Sequence, residues 1–142
     1  MPPATRDHPA PPCGSDQFRR SYRSGGGTWS NVLSLAIAFE MLLTDSSGRD
    51  MTDQIVRRVG IVLRSVPHVR RNERAVRELF SVRGDIVHKG QEATKDLRPA
   101  RRAYAAVFLP VALGLPAVEP TSSEPIRMLV GDQEGVTTQA RA

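Results

Sequence analysis

Arg83 and His88 are the two side chains of this sequence whose types and spacing point most directly to chemistry. A histidine can transfer a proton near neutral pH, and a guanidinium can stabilise charge that develops on a phosphoryl oxygen. The two residue types are thus candidates for proton transfer and for stabilising negative charge. A lone histidine is more often a surface or helix-end residue without a chemical role. The surroundings of His88 must therefore decide whether it is catalytic.

Arg83 falls on the apolar face of its predicted helix. At about 100° per residue it lies within the arc of five apolar residues, Val76, Leu79, Phe80, Ile86 and Val87. An unpaired guanidinium buried there would cost several kcal/mol, so Arg83 must be paired, reach an interface or line a cleft. Glu40, the one charged residue of a strongly apolar helix, is the expected partner. A structural salt bridge is the alternative to a functional role, and the two are compatible.

His88 follows Arg83 by five residues, which is about 140° around an ideal helix. The two side chains therefore lie on flanking faces and can converge only at a helix end or with the help of a second chain. Gly90 is the predicted helix stop just beyond His88. Asp85 either holds His88 or is a solvated charge, and the solvated interpretation is the favoured one.

Apolar periodicity predicts four helices that position these residues. The first is capped by Ser30 or Asn31 and runs to Leu43, and its nearly uniform apolar surface predicts the central element of a bundle. Pro110 is expected to kink or end the last helix. The other three predicted helices cover about 50–66, 72–88 and 96–113.

The two flanks of the chain have a different composition. Residues 1–27 are rich in proline and glycine, and this predicts a disordered tail, with a short helical turn around Phe18 to Tyr22 as an open alternative. A second disordered tail is predicted for residues 115–142. The expected fold is all-α, a small bundle of about four helices in residues 28–114.

The net charge of +5 comes from a basic set in which all but two of 20 residues are arginine. Arginine suits phosphate geometry, so the charge favours an anionic partner such as RNA, although a dispersed basic surface is also commonly just solvated. Lys89 is a further candidate RNA contact beside His88. The densest candidate RNA-binding cluster is Arg70, Arg71, Arg74 and Arg77, for which an exposed helix face is the alternative interpretation.

Neither a metal site nor a targeting segment is indicated by the sequence. Cys13 is the single cysteine, and His8 and His68 share no ligand spacing with it or with a carboxylate cluster, so we expect no metal. The longest apolar run, 107–118, is interrupted by proline and glycine. We therefore expect a cytoplasmic protein without a membrane span.

Two of these helices resemble the HEPN superfamily, most closely its ApeA-like branch. The segment LFSVRGDIVHKG at 79–90 is similar to the signature Arg-x4-His helix, and LSLAIAFEMLL at 33–43 is similar to the apolar helix that ends in an acidic residue before two leucines. The similar region covers roughly residues 28–113. The resemblance implies a dimer that cleaves RNA without metal or cofactor, with Arg83 as the electrostatic clamp, His88 as the acid/base group and Glu40 orienting Arg83.

One position departs from the family pattern. Active members tend to carry a polar side chain directly after the arginine, whereas this sequence has Gly84 and places a carboxylate one residue later, at Asp85. Such a glycine can mark close helix packing or a local bend. The alternatives to a nuclease are an inactive HEPN module that binds RNA, a nucleotide or a protein, and a truncated part of a larger ApeA-like protein. The resemblance also implies a toxin or defence role with an antitoxin or a nucleotidyltransferase-like partner.

Overall fold

Six helices form the described part of this computed structural model, which covers residues 14–22, 28–45, 48–90, 95–114 and 123–131. No strand occurs within those ranges, so the predicted all-α bundle is confirmed. The four longer helices correspond to the four predicted from periodicity. In chain order the helices are α1 (Ser15–Arg20), α2 (Trp29–Leu43), α3 (Met51–Val62), α4 (Val69–Lys89), α5 (Arg98–Gly114) and α6 (Pro125–Val130).

Helix α2 is the central element, as its apolar sequence predicts, and it packs against α1, α3, α4 and α5. It begins at Trp29, with Thr28 in the extended conformation of a cap residue and its carbonyl accepting the Val32 N–H at 3.0 Å. The predicted cap at Ser30 or Asn31 is therefore wrong. Asn31 is instead buried inside the helix, at 2% exposure.

Helices α3 and α4 form an antiparallel hairpin in which Arg77 binds Asp53 at 2.8 Å. Helix α4 has 21 residues and α3 only 12, so α4 runs on past the N-terminal end of α3. Every α4 residue after Phe80 is half-buried or exposed as a result. Val87 is 54% exposed, which corrects its predicted place in the core.

Other boundaries differ from the predicted ones by a few residues. Helix α3 ends at Val62, so its predicted end near residue 66 is wrong, and Val66 lies beyond the helix at 43% exposure. Helix α4 begins at Val69, about one turn earlier than predicted. Helix α5 continues through Pro110 to Gly114, so the proline does not end it.

The α1 segment, which the sequence assigned to a disordered tail, is a short helix docked on α2 and α5. The Phe18 ring stacks on Tyr104 with a centroid distance of 4.5 Å, and the Arg101 guanidinium lies 4.2 Å from the Tyr22 centroid. Arg101 also donates hydrogen bonds to the carbonyl and hydroxyl oxygens of Ser21. Burial raises the pKa of the Tyr104 hydroxyl at the centre of this aromatic cluster. The helical alternative for this stretch is thus the better description.

A second helix, α6, lies in the other flank predicted to be disordered. Its N-terminal backbone N–H groups, from Ile126 and Arg127, donate to the Asp45 carboxylate at 2.7 and 3.0 Å. Asp45 follows α2, so this contact fastens α6 to the bundle. The remaining tail predictions fall on residues 1–13, 23–27, 115–122 and 132–142, which lie outside the described residues.

Arg58 on α3 is the most deeply buried charged residue of the described chain, at 2% exposure. Its Nη1 atom donates to the Leu43 carbonyl at 2.6 Å and lies 3.7 Å from Asp45 Oδ2. Arg58 thus stabilises the end of α2 and neutralises the carboxylate that caps α6. In the described ranges, no helix is long and apolar enough to cross a lipid bilayer.

We predict that Arg58→Ala lowers the free energy of unfolding by about 3 kcal/mol, because it strands a buried carboxylate and a helix-end carbonyl. Urea denaturation followed by circular dichroism measures the change. Arg64→Ala is the control, since Arg64 on the turn after α3 is exposed, and it should stay within about 0.5 kcal/mol of wild type. Equal stability of the two variants would show that the Arg58 contacts contribute nothing.

Candidate functional site

The expected ion pair between Arg83 and Glu40 is present and joins α4 to α2. Arg83 Nη2 lies 3.0 Å from Glu40 Oε1, and the two side chains are 35% and 20% exposed. Oε1 itself is buried and, in the described chain, accepts no hydrogen bond, so the contact is an ion pair without an aligned N–H. The Arg83 guanidinium also lies 5.9 Å from the Phe80 ring centroid, within cation–π range.

Arg83 is accessible because it stands on the part of α4 that extends past α3. The sequence predicts Arg83 on the apolar face, and it is there, but that face is only partly covered at this level of the bundle. Several N–H groups of Arg83 remain for a ligand. The pair therefore lies at the edge of the core, where an anion from solvent can reach the guanidinium.

His88 lies in the last turn of α4 and is exposed. Gly90 ends the helix as predicted, with a left-handed backbone at φ 62° and its N–H donating to the Ile86 carbonyl at 3.1 Å. Within the described residues, His88 makes no hydrogen bond or ion pair, and Arg83 is about 140° away around the helix. One chain therefore does not bring Arg83 and His88 together.

Asp85 and Lys89 bind each other across one helical turn at 2.7 Å, both on the exposed side of α4. Such a surface pair contributes little to stability. In the described chain Asp85 makes no contact with His88, and Lys89 stands apart from the arginine cluster. The solvated interpretation of Asp85 thus fits the structure better than a role in holding His88.

Gly84 has no packing function. The helix is continuous through it, and a Cβ atom built there would meet no other atom within 4 Å. The expectation that the glycine marks close helix packing is therefore wrong. The open space beside Gly84 is part of the surface between Arg83 and His88.

The predicted arginine cluster divides between two surfaces. Arg70, Arg74 and Arg77 line one groove of about 520 Å³ between α3 and α4. Arg71 points into a separate depression of about 160 Å³, with His68 and Arg102. Arg57, which lines the larger groove from α3, was not predicted, because residues on different helices show no common spacing in the sequence.

The chemistry available to this surface is that of cationic and imidazole groups. Among the described residues, no group of three or more His, Cys, Asp or Glu side chains is arranged to hold a metal ion. Arginines that face solvent bind phosphate or carboxylate, and an exposed imidazole can exchange protons with a bound ligand. The surface therefore suits a phosphate ester.

Comparison of this chain with protein-family models, with curated proteins and with solved structures finds no match. The HEPN resemblance thus depends on the residues themselves: the Arg-x4-His helix, the acidic position of α2 and the ion pair that joins them.

We predict that Gly84→Ala raises the free energy of unfolding by about 1 kcal/mol, because alanine favours the helix and the added methyl group enters open space. Thermal denaturation measures the gain. Gly60→Ala is the comparison: it is also helical, but its new methyl group would collide with the Glu73 carboxylate. Gly60→Ala should gain less, and destabilisation by Gly84→Ala would contradict the open surface.

Proposed function

We propose that this chain is a HEPN-like, metal-independent endoribonuclease that acts as a homodimer, as a cytoplasmic toxin or defence component. The observation that supports the proposal most strongly is the Arg83–Glu40 ion pair. It links the two segments that resemble the family, and it holds a guanidinium at the surface instead of in the core. Arg58, by contrast, is buried and bonds the Leu43 carbonyl within the chain, so it is not accessible to a ligand.

The reaction follows from the residue types. The ribose 2′-OH attacks the adjacent phosphorus and His88 accepts its proton. The bond from phosphorus to the 5′ oxygen breaks and that oxygen takes up a proton from water, which leaves a 2′,3′-cyclic phosphate and a 5′-hydroxyl end. Arg83 stabilises the negative charge that develops on the non-bridging oxygens. Glu40 acts through Arg83 and is a positioning residue. No metal or redox step is needed for this transesterification.

A second copy of the chain is part of the proposal because Arg83 and His88 lie on flanking faces of α4. Around the ion pair the surface is partly apolar: Ile37 lies about one turn from Glu40, and Val87 one turn from Arg83. The two are 37% and 54% exposed. Exposed apolar side chains next to a charge pair are typical of a surface that binds another protein. A dimer through this surface would let Arg83 of one chain approach His88 of the other.

We predict that the purified protein cleaves single-stranded RNA in the presence of EDTA and leaves 2′,3′-cyclic phosphate ends. Arg83→Ala and His88→Ala should each lower the rate by at least about 100-fold, which is the usual contribution of a general acid–base or an oxyanion-stabilising group. Glu40→Gln should lower kcat more than it raises KM. Denaturing gels and end-group analysis measure cleavage.

The matched control for this experiment is Arg102→Gln, an exposed arginine on α5 away from the ion pair, which should cleave at the wild-type rate. Cleavage that both Arg83→Ala and His88→Ala leave unchanged would come from a contaminant or from another site. Loss of cleavage by chelation would exclude the metal-independent mechanism.

We predict that the protein has the solution mass of two chains at micromolar concentration, and that Val87→Glu shifts it toward one chain by placing a charge in the apolar surface beside Arg83. Light scattering coupled to gel filtration measures the mass. Leu113→Glu is the control, because Leu113 is 71% exposed and lies on α5, which contributes neither partner of the ion pair. A wild-type mass of one chain would remove the composite site.

The second candidate is an inactive HEPN module that binds RNA, a nucleotide or a protein. Gly84 favours it, because the polar side chain that follows the arginine in active members is missing and the space for it is open. Gly84→Asn separates the two candidates. A silent wild type that becomes a nuclease through Gly84→Asn would identify the binding module, whereas wild-type cleavage would exclude it.

A further inference from the structure

A groove of about 520 Å³ lies between α3 and α4, and it is lined mainly by charged side chains. Four arginines and two carboxylates give the groove a net charge of about +2. No aromatic ring lines it, so a ligand would be held by its charge and not by stacking. The lining residues are Asp53, Val56, Arg57, Arg70, Glu73, Arg74 and Arg77.

The arginines of α4 form a row. Arg70, Arg74 and Arg77 follow one another at four and three residues, so they project in nearly one direction and are separated by about 6 and 4.5 Å along the helix axis. All three are exposed. Arg77 binds Asp53 at 2.8 Å, but with both side chains more than half exposed this pair is weak, and a phosphate can displace the carboxylate.

The same row leads to His88. From Arg70 to His88 there are 18 residues, or five turns of an ideal helix, so the two side chains project in the same direction about 27 Å apart. Between Arg77 and His88 the row is continued by Ser81, which is exposed, and Gly84, which has no neighbour over it. Among the described residues, this face of α4 is therefore a polar track that begins in the groove and ends at the imidazole, bordered by Asp85, whose charge Lys89 balances.

We propose that the groove binds the phosphate backbone of single-stranded RNA and directs the strand along α4 to His88. The inference rests on the proposed function for the identity of the nucleic acid, and it adds a binding surface remote from the reacting groups. A single strand can adjust its phosphate spacing to a row of guanidinium groups, whereas a duplex presents a rigid one. Contacts to phosphate alone carry no base readout, so the strand is bound with little sequence preference.

The test measures binding in the His88→Ala background, in which the RNA stays intact. Fluorescence anisotropy of a labelled oligouridine is recorded over a range of salt concentrations. Arg74→Gln should weaken binding about fourfold at about 0.15 M salt and lower the slope of log K against log salt by about 0.7, the share of one phosphate contact to a single strand. Arg102→Gln is the charge-matched control and should change neither quantity.

Several outcomes would contradict the proposal that the groove binds single-stranded RNA. Equal losses in Arg74→Gln and Arg102→Gln would show that only net charge matters. Tighter binding of duplex RNA, or equal binding of polyglutamate, would exclude a single-strand track. Thermal denaturation of Arg74→Gln checks that this exposed substitution leaves the fold intact.

A cleavage assay on the chain with His88 intact distinguishes failure of the groove from failure of the proposed function. If the groove feeds an active site, Arg74→Gln raises KM about fourfold and leaves kcat unchanged. Cleavage with an unchanged KM keeps the nuclease and overturns the groove. If Arg74→Gln weakens RNA binding but the protein cleaves no RNA, the proposed groove stands and the proposed nuclease function is excluded.

Discussion

The difference in length between α3 and α4 is the constraint on which the candidate site depends. Helices α3 and α4 lie side by side as far as the Arg77–Asp53 pair. Beyond that level α4 continues without α3 beside it. Its apolar face is then only partly covered, and Glu40 of α2 supplies the contact that holds Arg83. The same extension leaves Gly84 open and His88 exposed. A longer α3 would cover this surface and remove the site.

Two arginines show how the bundle assigns different tasks to the same side chain. Arg58 is fully buried and connects the α2 carbonyl end to the carboxylate that caps α6, so its charge is satisfied within the chain. Arg83 has one carboxylate and a ring face, and it keeps about a third of its surface in water. Loss of one partner from a buried, paired set is strongly destabilising, whereas partial pairing at the surface leaves capacity for a ligand.

Periodicity predicted the four long helices and the central place of α2, because both depend on the pattern of apolar residues. It predicted the pairing of Arg83 with Glu40 because a charged residue on an apolar face needs a partner. It did not find Arg58, which lies about 40° around the helix from Val62, at the edge of the apolar face of α3. It placed Val87 in the core because a repeat cannot show where a helix leaves the bundle. It missed α1 and α6 because their stability comes from Tyr104 and Asp45, far away in the sequence.

The angle of about 140° between Arg83 and His88, predicted from the sequence, is also present in the structure. The continuous helix through Gly84 keeps the two side chains about 140° apart, and the arginine row lies on the histidine's side. A strand that follows the row therefore meets His88 first and reaches an Arg83 guanidinium only where another surface brings one across. The apolar side chains beside the ion pair are suited to bury against such a surface. Within the proposed function, the groove accounts for binding and the dimer for catalysis, so one can exist without the other.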